Sequence, residues 1–390
     1  MENSEFAAYV LRAGSHCADA LNAMSEIAAV EEKIEVRTFL QKTRTPWGLQ
    51  EISSDQGASG NPRSQSFTYT FDSETLGDGV DIYVVDTGVR STHAIFQVPG
   101  PDGQPTKSRV TPGFSFLDTP NPTNDGDGHG THCAGTAAGT RFGVAQNANI
   151  IAVKVLGDDG SGSSADTIEG MSWIINRHNQ RKTESNFKGS VMSMSWGLSS
   201  VSRTVDRVVR AASDAGIHIS VAAGNDGADA CQNTPASNGG QNSAVVSVGA
   251  MNINNQIASF SNIGKCVDIY APGEDVLSSW IEINGQPSDE ALNFLAGTSM
   301  ACPHVSGVMA YLLGLEENAS LRQDPAALKA RLLSLGRENT LRGQTGGSAN
   351  LLLSNGANGS PNSTLQARDD QFLDKRFNFI VASEKTQLRY

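Results

Sequence analysis

Three segments carry residues that could do chemistry together: Asp86 in DIYVVDTGV, His129 in DGHGTHCAG and Ser299 in AGTSMACPHVSG. A serine hydroxyl is too weakly acidic to attack an acyl carbon unaided. An imidazole can take its proton, and a carboxylate can hold that imidazole in place. All three sit among glycines and small residues, which let a substrate backbone come close. The combination points to nucleophilic acyl transfer. Asn225 in VAAGNDG follows a strand through a glycine, so its amide can project into a cleft and donate to a developing oxyanion. Its plainer role would be an Asn-Asp-Gly turn. Ser299 opens an apolar helix, where free N–H groups offer a second oxyanion donor; an isolated serine there would be read as an N-cap. Zinc is disfavoured, because His129 and His132 have neither a third ligand nor the glutamate of an HExxH site. His132 reads as a structural, hydrogen-bonded histidine.

The elements that must position these residues are legible from Val80 onward. VDIYVVD (80–86), NIIAVKVL (149–156), SVMSMS (190–195), IHISVAAG (217–224), AVVSVGA and CVDIYAPG read as strands. Between them lie helical patterns at 129–138, 164–181, 201–216, 298–315 and 325–335. Near-continuous apolar strands alternating with helices predict an α/β fold, a doubly wound, mostly parallel central sheet with helices on both faces. Ligand sites in such sheets lie at the carboxyl ends of the strands. Asp86 and Ala222–Asn225 fall at such ends.

Composition narrows the class further. The chain has 390 residues, 40 glycines without collagen periodicity, and a formal charge of −12 with no basic cluster to offset it. Phosphate recognition needs a basic surface, so no nucleic-acid partner is expected. No apolar run approaches the roughly 18 residues of a membrane span. Five cysteines leave at least one unpaired. Cys231 and Cys266, separated by turn-rich sequence, are the most plausible pair, with two buried thiols as the alternative; a bond there implies an oxidising compartment. The stretch 17–30 predicts a helix and KIEVRTFL (33–40) a strand, whereas residues 371–390 show no clear period.

Taken together, these strings resemble the subtilase family of serine endopeptidases, most closely its fungal proteinase K, oryzin and cerevisin group. The match is carried by DTGV (86–89), HGTHCAGT (129–136), GSG (160–162), SMSWG (193–197), AAGND (222–226) and GTSMACPHVSG (297–307), and runs from about residue 46 to 356. The order Asp, His, Ser is that of the subtilisins and differs from chymotrypsin and the α/β-hydrolases. The resemblance implies a triad of Asp86, His129 and Ser299, with Asn225 in the oxyanion hole. It also implies substrate-binding strands at Gly160, Ser161 and Gly162 and at Ser195, Trp196 and Gly197. Ala222, Ala223 and Gly224 would form one wall of a pocket for apolar or aromatic P1 side chains. Trp196, where leucine is usual, is expected to reshape that pocket. Cys133 matches a free cysteine beneath the catalytic histidine, and Cys302 could be a second free thiol or its partner. Cys231 and Cys266 match a disulfide of cerevisin-like members. Asp268 matches a ligand of a structural calcium ion, whose other ligands would be backbone carbonyls near 243–245.

By the same resemblance, residues 1–43 correspond to the C-terminal part of an inhibitory pro-segment, 44–356 to the peptidase domain and 357–390 to an extension of unknown role. The expected partners are polypeptide substrates and the chain's own pro-segment, on a monomer. The N-terminus lacks the features of a secretory signal. A truncated start on a secreted or vacuolar protein is the favoured expectation, and a cytoplasmic enzyme the alternative.

Overall fold

The computed structural model describes residues 6–357 and 377–384, apart from 14, 26, 28, 33–39, 100–104, 118, 120 and 199. Its centre is a nine-stranded sheet in the order Arg337–Glu338, Leu351–Leu352, Ile269–Pro272, Val246–Met251, His218–Ala222, Gly189–Met194, Val80–Asp86, Asn149–Lys154, Val110–Ser115. Every neighbouring pair is parallel except the first, which is antiparallel. Side chains alternate across a strand, and here both faces are dry. Ile82 and Val84 enter one apolar cluster, with the His129–Ala138 and Thr298–Gly314 helices, while Tyr83 and Val85 enter another with the Ser164–Arg181 and Arg203–Asp214 helices. The α/β expectation is met, and three of the helices begin and end where the pattern placed them.

The Thr298–Gly314 helix is apolar all round and almost wholly buried, as a helix threaded under a sheet must be. It contains Pro303, which has no N–H to give to the carbonyl four residues earlier, that of Ser299. The Cys133 thiol donates to that carbonyl instead (3.5 Å).

The chain divides into two units, and the smaller one has a sheet of its own. That sheet is antiparallel, in the order Phe6–Ala13, Phe377–Glu384, Ala29–Glu32, so a strand from near the end of the chain lies between two from its beginning. The helix expected over 17–30 is confined to Ser15–Asn22, because Ala29–Glu32 pairs with Phe377–Glu384. An alanine-rich stretch gives no local sign of such a distant partner. Most of the strand expected at 33–40 lies outside the described residues, as do 358–376 and 385–390 of the C-terminal extension.

Candidate active site

The strand ends bring Asp86, His129, Ser299 and Asn225 to one edge of the sheet. Asp86 closes the Val80–Asp86 strand and is fully buried. His129 Nδ1 donates to Asp86 Oδ1 at 2.7 Å, and Thr87 N–H donates to the same oxygen at 2.8 Å. The helix carrying His129 packs so closely that a Cβ on Gly130 would sit 2.1 Å from the Gly88 carbonyl oxygen. Burial, the largest single influence, lowers the imidazole pKa, but the adjacent Asp86 carboxylate and the Cys133 sulfur together outweigh it and hold His129 well above the ordinary histidine value. The ring is thus oriented, basic and a quarter exposed, while its carboxylate is sealed from water.

Asp125 and Lys154, which sequence reasoning missed, hold this pair in place. The buried Asp125 carboxylate accepts from the N–H groups of Asp127, Gly128 and Thr131 and from the hydroxyls of Thr87 and Thr131. Burial raises its carboxyl above the ordinary range, against those bonds. Thr87 Oγ1 in turn accepts from Gly130 N–H (2.9 Å), which joins the Asp86 turn to the start of the His129 helix. Lys154, also buried, donates to the Thr87 carbonyl and pairs with Asp158 at 2.7 Å. Neither residue is conspicuous in NDGDG or AVKVL, since their link to the Asp86 turn runs through Thr87, 38 and 67 residues earlier.

Ser299 lies in the first turn of its helix, and its hydroxyl donates to the Ser195 carbonyl at 2.8 Å. The N-cap Gly297 lies between the oxyanion candidates, as a Cβ there would be 3.6 Å from both Asn225 Nδ2 and Ser299 N. Thr298 binds Asn225 Oδ1 through its N–H and its hydroxyl, which turns Nδ2 toward that point. The Asn225 loop is built on Asn262, another residue not singled out. Its Oδ1 accepts from Asp226 and Ala228 N–H, and its Nδ2 donates to the Ala223 carbonyl. Gly224 is required here: φ is +103°, and a Cβ would meet Asn262 Nδ2 at 2.3 Å.

Several expectations are adjusted by the structure. Gly160, Ser161 and Gly162 form an exposed, irregular loop after the Asn149–Lys154 strand, and are not a strand themselves; Ser195, Trp196 and Gly197 likewise follow a strand end. The Trp196 indole does not fill the cleft. It packs on the Met192 and Met194 cluster and donates from Nε1 to the Val85 carbonyl (2.9 Å), bracing the strand that ends at Asp86. Cys133 and Cys302 are buried, separate free thiols, so the pairing considered for them is not made. Burial raises both above the ordinary thiol pKa, which keeps them protonated. Cys231 and Cys266 form the disulfide. His132 donates from Nε2 to the Val276 and Asn293 carbonyls, and burial pushes its pKa down to about 3, consistent with a structural histidine.

At Asp268 the residues do not fit a calcium ion. The Lys329 ammonium stands there, 2.7 Å from Asp268 Oδ1, 2.7 Å from the Val245 carbonyl oxygen and 2.8 Å from that of Gly240. Calcium takes six to eight oxygens, and a cation already holds these three.

A mostly parallel sheet with a buried acid at a strand end, beside a histidine and a serine that each lie in the first turn of a helix, is the arrangement expected of a subtilisin-like fold. Comparison with known proteins agrees: the peptidase S8 profile, described as the Subtilase family, matches residues 77–350. The chain belongs to that family. It is 42% identical over 350 residues to the subtilisin-like serine protease Pen ch 18 of Penicillium rubens, covering 87% of this chain and 65% of that one. Identity is 40% to a cuticle-degrading serine protease of Arthrobotrys oligospora (85% and 73%) and 38% to alkaline protease 2 of Aspergillus fumigatus (87% and 66%). The match thus spans about two thirds of the length of these curated relatives. A solved cold-adapted subtilisin-like serine proteinase superimposes with a TM-score of 0.65 at 35% identity, covering 80% of this chain and 99% of that one.

Proposed function

We propose that the protein is a serine endopeptidase that cleaves polypeptides through an acyl-enzyme on Ser299. The observations that carry this are a histidine hydrogen-bonded to a buried carboxylate at 2.7 Å and, around Gly297, the Asn225 amide nitrogen and the Ser299 backbone nitrogen, each 3.6 Å from where a Cβ on that glycine would sit. In the reaction, Ser299 Oγ leaves the Ser195 carbonyl and attacks the scissile carbonyl carbon. His129 Nε2 takes its proton, and Asp86 stabilises the imidazolium without itself being protonated. The carbonyl oxygen becomes an oxyanion bound by Asn225 Nδ2 and Ser299 N–H. His129 then protonates the leaving amine, and water reverses the sequence to free the acid. None of these steps needs a cofactor.

The main chain at Gly160–Gly162 and Ser195–Gly197 is proposed to pair with the substrate backbone as an added strand. Ala222, Ala223 and Gly224 bring no bulk to the pocket wall, which supports a preference for large apolar or aromatic P1 residues. Residues 1–43 are proposed as the inhibitory and chaperoning pro-segment. The Cys231–Cys266 disulfide favours work in an oxidising compartment, secreted or vacuolar.

Fluorophosphonate labelling tests the main reading. Folded, pro-segment-free protein should be labelled on Ser299 and hydrolyse apolar-P1 peptides, and Ser299→Ala should do neither. Peptide binding without labelling or hydrolysis would make the chain a silent member of the fold and end the protease proposal.

A further inference from the structure

We propose that Lys329 is a built-in cation standing where a structural calcium ion would otherwise sit, so that the loop around Asp268 is held without metal. An ammonium has three N–H donors and no acceptor. At Lys329 those three meet three oxygens, Asp268 Oδ1 and the Gly240 and Val245 carbonyls, all between 2.7 and 2.8 Å. The remaining capacity of the carboxylate is taken by Gly240 N–H and Ser247 N–H. The side chains of Lys329 and Asp268 are each only about one-twentieth exposed (6% and 5%), so the cradle is closed to solvent. Calcium would have to displace the ammonium and then find at least three further oxygens.

The arrangement ties three separate pieces of chain. Lys329 rises from the Pro325–Leu335 helix, the carbonyls belong to the loop before the Val246–Met251 strand, and Asp268 precedes the Ile269–Pro272 strand. A bound ion stabilises a fold only in proportion to the logarithm of its free concentration over its Kd. A covalently attached ammonium contributes at any calcium level. The geometry therefore points to a protein that keeps these strands anchored in calcium-poor or chelating surroundings.

Thermal unfolding of the full chain carrying Ser299→Ala, which prevents self-digestion, tests this in EGTA and in excess CaCl2. The expected result is one Tm in both. Adding Lys329→Ala should lower Tm by several degrees in EGTA, and CaCl2 should restore part of the loss; adding Asp268→Asn as well should abolish that restoration. Terbium luminescence should report an ion in the Lys329→Ala protein that Asp268→Asn removes. A Tm of the Lys329-containing protein that rises in CaCl2 and loses that rise with Asp268→Asn would overturn the proposal. So would a folded Lys329→Ala protein that takes up neither calcium nor terbium at this place. If Lys329→Ala does not fold, the calcium response of the Lys329-containing protein with and without Asp268→Asn decides alone.

Discussion

Thr298 grips the Asn225 carboxamide from one side only. Its N–H and its hydroxyl both donate to Oδ1, at 2.8 and 2.9 Å. Because an N–H can only donate, the atom it meets is the oxygen, and the amide nitrogen must face the cleft. The residue before the candidate nucleophile therefore aims the oxyanion donor, which couples the two halves of the site through one side chain.

This coupling makes a graded prediction. Asn225→Ala should lower kcat about 10²–10³-fold, roughly 2.7–4 kcal/mol, with little change in KM. Thr298→Val keeps the backbone bond and loses the hydroxyl, so its loss should be no more than about tenfold. Steady-state kinetics on an apolar-P1 peptide measure both. Equal losses in the two variants would show that Thr298 does more than orient the amide.

His129 sets the pH dependence. Burial lowers its pKa, but Asp86 and Cys133 together hold it well above 6.5. A general base must be neutral, so kcat/KM should rise with pH through an ionisation lying above that value. Stability has the opposite sign: the protonated imidazole paired with Asp86 stabilises the fold below about 6.5, and that contribution is lost as pH rises through the raised value. Asp86→Asn should lower kcat about 10⁴-fold, because the ring is left in the wrong tautomer, and move the ionisation down. A pH–rate profile of both proteins tests the assignment.

The disulfide joins residues 35 apart in sequence. Replacing Cys231 and Cys266 together by serine should cost about 3–4 kcal/mol in the chain-entropy account. Denaturant unfolding of the Ser299→Ala background reads this directly. Cys133 and Cys302, buried and already bonded to oxygen atoms, should leave the result unaffected.

The small sheet bears on the fate of the proposed pro-segment if the chain is cut near residues 40–46. Phe377–Glu384 pairs with Phe6–Ala13 over eight residues and with Ala29–Glu32 over four. A cut there severs the chain but leaves these ladders intact, so the N-terminal fragment should elute with the body in gel filtration. Fragment lost from the cut protein would mean that the ladders do not retain it.

The sequence by itself determined the fold class, most of the sheet and the four residues of the candidate site. These signals are local: apolar runs set strands and helices, and small residues cluster where backbone packs on backbone. It also pointed to Cys231 and Cys266. Only the tertiary structure decided what stands opposite what. It set Lys329 against Asp268, Thr298 against Asn225, Asp125 beneath the Asp86 turn, and a C-terminal strand between two N-terminal ones. Each depends on side chains or backbone edges that meet across long stretches of chain, and neither periodicity nor motif spacing records such meetings. The motif at Asp268 marked a place for a cation, but only the fold could bring a lysine there to be it.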